Sequence, residues 1–282
     1  MGTAVKTPAA KPSTTALWRF PNEATPQGTS TYYSLRFSSP ELRDGLACLV
    51  AWRYLVRGIL QEVRDPGVAR LKLQWWREEV ACMAEGRTSH PLSVALRPLV
   101  DRHCLPLEPF LRMARQVEDE ILGRPTADAQ SLQLAGDADL GALFELMTRV
   151  HGITDPAILA EARSLGTFSA LVYRIRDSGW LARQGRSPVP LDWLRAAGLD
   201  ADALRQGPHR ARLPEWLAEI AHQALSVLAQ CPNFSHLPPC VRIRTRILAT
   251  LLHEMEAISF QLAEQRLSLT PLRKLWIAWR ES

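Results

Sequence analysis

Apolar residues recur at three- and four-residue steps through most of the chain after Pro40. Steps of this length place apolar side chains on one face of a helix. Alternation of apolar and polar residues is almost absent, so strands are not expected. The pattern therefore predicts an all-α protein of roughly eight to ten helices. The stretches that carry it are 42–53, 68–83, 91–102, 106–122, 139–150 and 156–180.

Proline and glycine divide these predicted helices. Asp65-Pro66-Gly67 separates the first two, and Gly123-Arg124-Pro125 ends another. The segment 185–190 closes the long helix predicted over 156–180, and the segment 233–239 divides two later ones. Such breakers mark loops between helices rather than strands.

The first residues differ in composition from the rest of the chain. Met1 to Pro26 is rich in Ala, Thr and Pro and lacks the apolar stretch of a signal peptide. We expect residues 1–27 to be a disordered tail and residues 28–282 to form one helical domain. No apolar run reaches the length of about 18 residues that a membrane-spanning helix requires, so any membrane contact is expected to be peripheral.

Composition narrows the class of protein without naming a partner. Apolar residues make up 46% of the chain and charged residues 22%, which excludes a disordered or fibrous protein. The net charge of +5 suits anionic lipid, phosphate or nucleic acid and selects none of them. The five cysteines form no CxxC pair, so reduced thiols in a cytoplasmic protein are expected.

Standard catalytic motifs are absent from the sequence: it has no GxSxG, no phosphate-binding glycine loop and no dinucleotide fingerprint. Glu118-Asp119-Glu120 lies on a predicted helix, where successive side chains point about 100° apart and cannot all face one ion. We expect this cluster to be a solvated face. Of Trp75 and Trp76, one is expected to pack inward and the other to lie at a surface or groove.

The order of several short segments resembles the squalene/phytoene synthase family. The opening segments are Ser30-Thr31-Tyr32-Tyr33-Ser34, Pro40-Glu41-Leu42-Arg43 and Leu49-Val50-Ala51-Trp52-Arg53. The later ones are Leu165-Gly166, Arg176-Asp177, Gly185-Arg186, Pro190 and Arg273-Lys274-Leu275-Trp276. Each segment alone is weak evidence for the family. Together, their order and spacing match the family over about residues 28–280.

This resemblance implies a fold and a chemistry. The family has an isoprenoid-synthase-like all-α fold with a central cavity, and its enzymes join two isoprenyl diphosphates head to head. Acidic motifs on two facing helices hold Mg²⁺, because a diphosphate leaving group needs its charge neutralised and Mg²⁺ prefers carboxylate oxygens.

The first acidic motif is missing here. Arg57 and Gly58 stand where the family has its Asp pair, and Gln61 stands where the Asp four residues later belongs. The family's preceding phosphate-binding Arg falls on Tyr54, with Arg53 next to it. A guanidinium at position 57 would repel a metal ion bound there.

The second motif is also reduced. Where the family has Asn-x-x-Arg-Asp-x-x-Glu-Asp, this chain has Tyr173, Arg176, Asp177, Trp180 and Leu181. Only the Arg and the first Asp remain, so no metal site and no cofactor are expected. Asp177 is the one candidate for a catalytic role.

The same loss is found in a branch of the family. The mitochondrial complex I assembly factor with a squalene/phytoene synthase-like domain lacks intact Asp motifs and carries a Leu-Gln-Trp-Trp-Arg-type segment, which Leu73–Arg77 resembles. The resemblance thus favours a non-catalytic protein that binds an isoprenoid or other lipid, or a protein partner. Candidate ligand- or phosphate-binding residues are Ser30, Tyr33, Arg43, Arg53, Arg57, Tyr173 and Arg176.

Two other interpretations stay open. An active head-to-head prenyltransferase would need Mg²⁺, and fewer than three carboxylates in the cavity would argue against it. A peripheral membrane or interaction module is suggested by Leu272–Arg280, which mixes tryptophans with cations. For that helix, packing on the domain is the favoured prediction. Basic residues are dispersed among acidic ones, so no nucleic-acid partner is expected.

Overall fold

The computed structural model describes residues 17–200, 202–205 and 207–282. Within these ranges the chain forms helices and loops and no strand, which confirms the all-α prediction. The first helices are α1 (Ser30–Arg36), α2 (Pro40–Glu62), α3 (Pro66–Glu85), α4 (Pro91–His103), α5 (Glu108–Ile121) and α6 (Ala129–Gly136). A π-helical turn, Asp137–Gly141, joins α6 to α7 (Ala142–Val150). The later helices are α8 (Pro156–Arg176), α9 (Ser178–Arg183), α10 (Leu191–Ala196), α11 (Leu213–Ala229), α12 (Pro239–Ala257) and α13 (Pro271–Glu281).

Proline begins many of these helices. It stands at the first position of α2, α3, α4, α8, α12 and α13, where its missing N–H costs no hydrogen bond. The predicted break at Asp65-Pro66-Gly67 is confirmed, and the Asp65 carboxylate accepts a hydrogen bond of 2.8 Å from the backbone N–H of Val68. This acidic residue therefore caps α3 rather than facing a cavity.

Several predicted helix boundaries differ in the structure. The helix predicted over 156–180 ends at Arg176, and the chain bends at Asp177 before α9. The bend at Arg176-Asp177-Ser178 carries no Gly or Pro, so no breaker residue marks it in the sequence. The stretch predicted as helix from residue 139 begins within the π-helical turn.

Helix α8 runs through the middle of the molecule and contributes to both apolar clusters of the core. Leu165 packs in the first cluster with Trp52 and Phe144, and Phe168 packs in the second. At Gly166 an added Cβ would come within 2.4 Å of the Leu140 carbonyl oxygen. The absence of a side chain therefore lets α8 lie directly against the π-helical turn.

The predicted boundary at residue 27 also differs. Residues 17–27 lie against the domain: Trp18 and Phe20 pack on the core, and Thr25 is fully buried. The Asn22 amide donates a hydrogen bond of 2.9 Å to the Trp18 carbonyl. Two aromatic side chains in a polar stretch thus anchor this segment. Residues 1–16 of the predicted tail lie outside the described residues.

The two adjacent tryptophans of α3 differ in burial. Trp76 is buried and Trp75 is 42% exposed, so one ring packs inward and the other reaches the surface, as expected. Across the described ranges, no helix combines the length and the apolar composition needed to cross a membrane.

Candidate functional site

A cavity of about 450 Å³ lies between α2, α5, α6, α8 and α9, with α12 contributing to its wall. Its apolar wall includes Val50, Leu132, Leu140, Leu143 and Leu171. Its polar wall includes seven arginines and four carboxylates among the described residues: Arg53, Arg57, Arg174, Arg176, Arg186, Arg244, Arg266, Glu62, Glu120, Asp139 and Asp177. The cavity is thus part apolar and part strongly cationic.

Asp139 lies in the π-helical turn and is held by two arginines of α2. Arg53 Nε and Nη2 donate to its two carboxylate oxygens at 2.7 Å and 2.6 Å, and Arg57 Nη1 lies 3.2 Å from Oδ2. Burial raises the pKa of Asp139, but the charges of Arg53 and Arg57 outweigh it, so the pKa lies below its ordinary value. The carboxylate is ionised and fully engaged.

Glu120 of α5 is the second paired carboxylate. Arg57 donates to its two oxygens at 3.1 Å and 3.4 Å, and Arg186 pairs with it from the loop after α9. Arg57 therefore bridges Asp139 and Glu120. The family's first motif would place carboxylates at this part of α2, whereas here a cation joins two carboxylates from other elements.

Asp177 is paired in the same way at the bend between α8 and α9. Arg176 Nε and Nη2 donate to its two oxygens at 2.7 Å and 2.8 Å, and Arg266 Nε lies 2.8 Å from Oδ1. The Arg176 guanidinium also lies 4.4 Å from the centre of the Tyr173 ring. The two residues that remain of the second motif, Arg176 and Asp177, thus form an ion pair with each other.

Arg244 of α12 differs from the other cavity arginines. Its side chain is buried, with the residue 3% exposed, and its Nε and Nη1 have no hydrogen-bond partner among the described residues. Nη2 lies 3.3 Å from the Tyr173 hydroxyl, and the guanidinium lies 5.8 Å from the Phe144 ring centre. Buried guanidinium N–H groups without acceptors are costly, which points to an acceptor supplied by a ligand.

The pKa shifts of Tyr173 and Arg174 indicate an excess of positive charge in the cavity. Burial raises the pKa of Tyr173, but the charges of Arg244 and Arg176 outweigh it and hold the pKa below its ordinary value. Burial and repulsion by Arg57 lower the pKa of Arg174 to about 10. Arg174 donates to the carbonyls of Pro188 and Ser187 at 3.0 Å and 3.3 Å and pairs with no carboxylate in the part of the chain that the structure describes. Both shifts would be relieved by an anion in the cavity.

These carboxylates do not fit a Mg²⁺ site. Three of the four are already paired with arginines, and the fourth, Glu62, is exposed at the end of α2. Across the described ranges no group of three or more His, Cys, Asp or Glu side chains is placed to hold a metal ion. Four carboxylates exceed the minimum set above for an enzyme, so their number does not argue against catalysis.

The structure brings five of the sequence candidates together. Arg53, Arg57, Tyr173, Arg176 and Asp177 all line the cavity.

Ser30, Tyr33 and Arg43 are not among the residues that line the cavity, and their assignment as ligand-binding residues stays a prediction. In α1, Thr31 is the residue that faces it, and Tyr33 packs in the core, because neighbouring helical positions point about 100° apart. Arg43 donates instead to the Ser38 carbonyl at 2.8 Å.

Sequence reasoning missed Glu120, Asp139 and Arg244. The expected solvated face at residues 118–120 is wrong for Glu120, whose side chain is 17% exposed at the cavity, whereas Asp119 points outward. Arg244 follows the apolar spacing of α12, three residues after Val241 and four before Leu248, both buried. A charged residue on an apolar face is the signal that could have identified it.

Comparison with known proteins supports the resemblance to squalene/phytoene synthases that the sequence motifs indicate. Residues 24–273 match the sequence profile of squalene/phytoene synthases. The chloroplastic phytoene synthase 3 of Zea mays is 26% identical over 180 residues, which are 61% of this chain and 42% of that protein. The bifunctional protein CrtB/UppS of Streptomyces coelicolor is 28% identical over 186 residues, 64% of this chain and 33% of that protein. The chain spans less than half the length of these curated relatives.

Solved structures share the fold. A dehydrosqualene synthase in complex with ligand has a TM-score of 0.75 and 15% identity, over 89% of this chain and 90% of that one. Squalene synthase HpnC from Alicyclobacillus acidocaldarius has a TM-score of 0.71 and 18% identity, over 81% of this chain and 88% of that one. The resemblance to the assembly-factor branch stays a prediction. Because the profile match extends over most of the chain, the protein belongs to the squalene/phytoene synthase family.

Proposed function

We propose that this protein is a non-catalytic member of its family that binds an isoprenoid or similar lipid through a phosphorylated end, without a metal ion. The observation that carries the proposal is the pairing of Asp139, Glu120 and Asp177 with arginines. A carboxylate that already accepts two guanidinium hydrogen bonds is a poor Mg²⁺ ligand, because the metal would have to displace the arginine.

The remaining arginines suit a phosphate group. Guanidinium groups bind phosphate oxygens directly through paired N–H donors. Arg244 has two donor nitrogens in the cavity without a partner in the described ranges, and Arg176 and Arg266 form a second cationic group around Asp177. An anionic group placed between them would offset the excess of arginines over carboxylates.

The other wall of the cavity suits a hydrocarbon chain. Leu132 and Leu140 are buried residues that line it, and Leu143 and Leu171 extend this apolar surface. A cavity with apolar walls and a few convergent polar groups is the usual form of a small-molecule site. Relatives named phytoene synthase and squalene synthase give the ligand class that we propose, an isoprenyl diphosphate.

The test is a binding titration with farnesyl diphosphate in the presence of EDTA. We expect saturable binding that weakens about tenfold or more in Arg176→Gln, because a charged hydrogen bond to phosphate is lost. Arg102→Gln is the matched control, since Arg102 is an exposed arginine outside the cavity. Absence of saturable binding to the folded protein would contradict the proposal.

The second candidate function is an active head-to-head prenyltransferase. It is favoured by Asp177, which stands at the matching position of the second motif and lines the cavity. A radiolabelled assay with farnesyl and geranylgeranyl diphosphates, Mg²⁺ and NADPH distinguishes the two functions. We expect no turnover. Diphosphate release that requires Mg²⁺ and disappears in Asp177→Ala would establish the enzyme instead.

A further inference from the structure

Helix α13 exposes an apolar stripe on its outer face. Leu272, Trp276 and Trp279 are 79%, 54% and 67% exposed. Their spacing of four and three residues places them on one side of the helix. The opposite side is buried through Lys274, Ile277 and Ala278. The sequence prediction that this helix packs on the domain is therefore correct for one face, and the other face remains open to solvent.

The stripe is presented by a firmly held helix. Lys274 Nζ donates to the Gly28 carbonyl at 2.9 Å and to Ser268 Oγ at 3.1 Å. Arg273 pairs with Glu254 of α12 at 2.7 Å, and Arg242 of α12 donates to the Glu281 carbonyl at 2.8 Å. The helix that carries the exposed tryptophans is thus held on the domain at both ends.

Arginines lie on the helix that carries the stripe and on the neighbouring helix α12. Outside the cavity, α12 and α13 carry four arginines, Arg242, Arg246, Arg273 and Arg280. The carboxylates of these two helices are Glu254, Glu256 and Glu281. Arg273 and Arg246 are paired with two of these carboxylates. The Arg280 guanidinium lies 4.8 Å from the Trp276 ring centre and pairs with no carboxylate among the described residues. The face therefore combines indole rings with positive charge.

We propose that the outer face of α13 binds an anionic membrane surface. Tryptophan, leucine and arginine on one helix face match the headgroup region of a bilayer, where apolar side chains enter and cations meet lipid phosphates. The net charge of +5 adds long-range attraction. This surface is separate from the cavity, and its occupancy does not depend on the ligand proposed above.

A second copy of the chain fits this face less well. Two tryptophans and one leucine at these exposures offer on the order of 400 Å², about half of the roughly 800 Å² that each partner buries in a standard interface. Binding to a membrane does not require such a minimum area, because the insertion of a few apolar side chains adds to electrostatic attraction. Area and charge together favour lipid.

Helix α3 offers an internal comparison. Leu71 is 72% exposed on α3, close to the exposure of Leu272 on α13. The neighbouring Trp75 ring packs edge-on against Trp76 and His90, at 5.1 Å and 5.8 Å between ring centres. The single exposed indole of this face is 42% exposed, against 54% and 67% for the two indoles of α13, so substitution of Leu71 serves as the matched control.

The experiment is co-flotation with phosphatidylcholine vesicles and with vesicles of equal parts phosphatidylcholine and phosphatidylglycerol. We expect binding to the anionic vesicles that weakens with added salt. The double variant Trp276→Ser/Trp279→Ser should lose about tenfold or more of the partition constant, and Arg280→Gln about fivefold. Leu71→Gln should bind as the unaltered chain does. All substituted side chains are exposed, so unchanged circular dichroism and melting temperature are expected.

Several outcomes would overturn the proposal. These are equal binding to both vesicle types, no loss in the tryptophan double variant, or a greater loss in Leu71→Gln. A concentration-dependent dimer in sedimentation that the tryptophan substitutions abolish would assign the face to a second copy instead. The farnesyl diphosphate titration without vesicles, made on the same variants, should be unchanged, so failure of the membrane proposal and failure of ligand binding are distinguishable.

Discussion

Arg53 and Asp139, 86 residues apart in sequence, form a two-point ion pair in the wall of the cavity. The pair joins α2 to the π-helical turn, and Arg57 approaches the same carboxylate at 3.2 Å. Their side chains are 21% and 10% exposed, so the pair is largely withdrawn from water. A buried pair of this kind is stable only while both partners are present, because each alone would be a buried charge without a counterion.

Asp139→Asn should therefore destabilise the protein strongly. The substitution leaves Arg53 and Arg57 near each other without the shared carboxylate, and we expect a loss of about 3 kcal/mol, at the lower end for a broken buried pair because Glu120 still binds Arg57. Asp119→Asn is the control, since Asp119 pairs with Arg124 at the surface, where such pairs contribute about 1 kcal/mol or less. Urea denaturation measures both. Equal losses in the two variants would mean that the Asp139 pair contributes no more than a surface pair.

Gly166 and Gly58 are both helical glycines and should respond oppositely to substitution by alanine. At Gly166 the new Cβ would meet the Leu140 carbonyl at 2.4 Å, so we expect a loss of roughly 1–3 kcal/mol from displacement of the π-helical turn. At Gly58 the nearest atom is the flexible Glu62 Oε1 at 3.4 Å, and we expect a gain of up to about 1 kcal/mol from helix propensity. Thermal unfolding of both variants tests this, and a stabilising Gly166→Ala would contradict the tight contact of α8 with the turn.

Stability should fall as the pH decreases from about 7 to about 5. Burial lowers the pKa of His90, His103 and His151 below the ordinary value of 6.5. The unfolded chain then binds protons more readily, so stability is complete above about 6.5 and is lost as the pH falls toward the lowered pKa values. Asp139, with its lowered pKa, adds a further loss only in more acidic solution, below its unfolded value of 3.8.

Urea midpoints between about pH 8 and pH 5 measure this effect. His151→Gln should flatten part of the slope, because burial lowers the pKa of this histidine in the folded chain. A slope that is unchanged in His151→Gln would show that this histidine titrates alike in the folded and unfolded chains.

The sequence predicted helices well where periodicity and proline coincide, as at Pro66 and Pro156. It missed the bend at Asp177, because no breaker residue stands there and because the bend is fixed by tertiary contacts, including the Arg266 pair. At Gly179 an added Cβ would come within 2.2 Å of the Ala263 carbonyl, which is a contact of distant residues that no local pattern reports.

The cavity was predictable only in part. The resemblance placed Arg176 at the site because it stands at a motif position, and Arg53 because it lies next to one. Asp139 and Arg244 belong to no motif, and they reach the cavity because the π-helical turn and α12 pack beside it. Which arginine meets which carboxylate depends on this packing, so sequence alone could not show that the carboxylates are paired.

The five thiols should differ sharply in reactivity. Burial raises the pKa of Cys48 and of Cys240 to about 12 and also raises that of Cys231, whereas Cys104 is exposed. The thiolate is the reactive form, so buried thiols of high pKa are inert. We expect a disulfide reagent to modify Cys104 rapidly in the folded protein and Cys82, which is half-buried, more slowly. Cys104→Ser should remove the fast phase, and rapid reaction of Cys240 would contradict its burial in the core.

Arg244→Met should stabilise the ligand-free protein and remove its response to pyrophosphate. Methionine fills a similar space without charge, and two donor nitrogens, Nε and Nη1, that lack acceptors among the described residues are removed. Because the hydrogen bond to Tyr173 is lost at the same time, we expect a net gain of about 1 kcal/mol. The melting temperature in EDTA, measured against increasing pyrophosphate, reports both effects, since a ligand that binds only the folded state raises it.

Arg242→Met is the matched control on the same helix. Arg242 donates to the Ser235 and Glu281 carbonyls at 3.0 Å and 2.8 Å and does not line the cavity. Its loss should destabilise the protein and leave the effect of pyrophosphate intact. If Arg244→Met instead destabilises the protein as Arg242→Met does, and pyrophosphate still raises its melting temperature fully, then Arg244 supports the fold and the anion binds elsewhere. Stabilisation by pyrophosphate that depends on Arg244 would place the anionic group of the ligand between α12 and Tyr173, even if no isoprenoid chain binds.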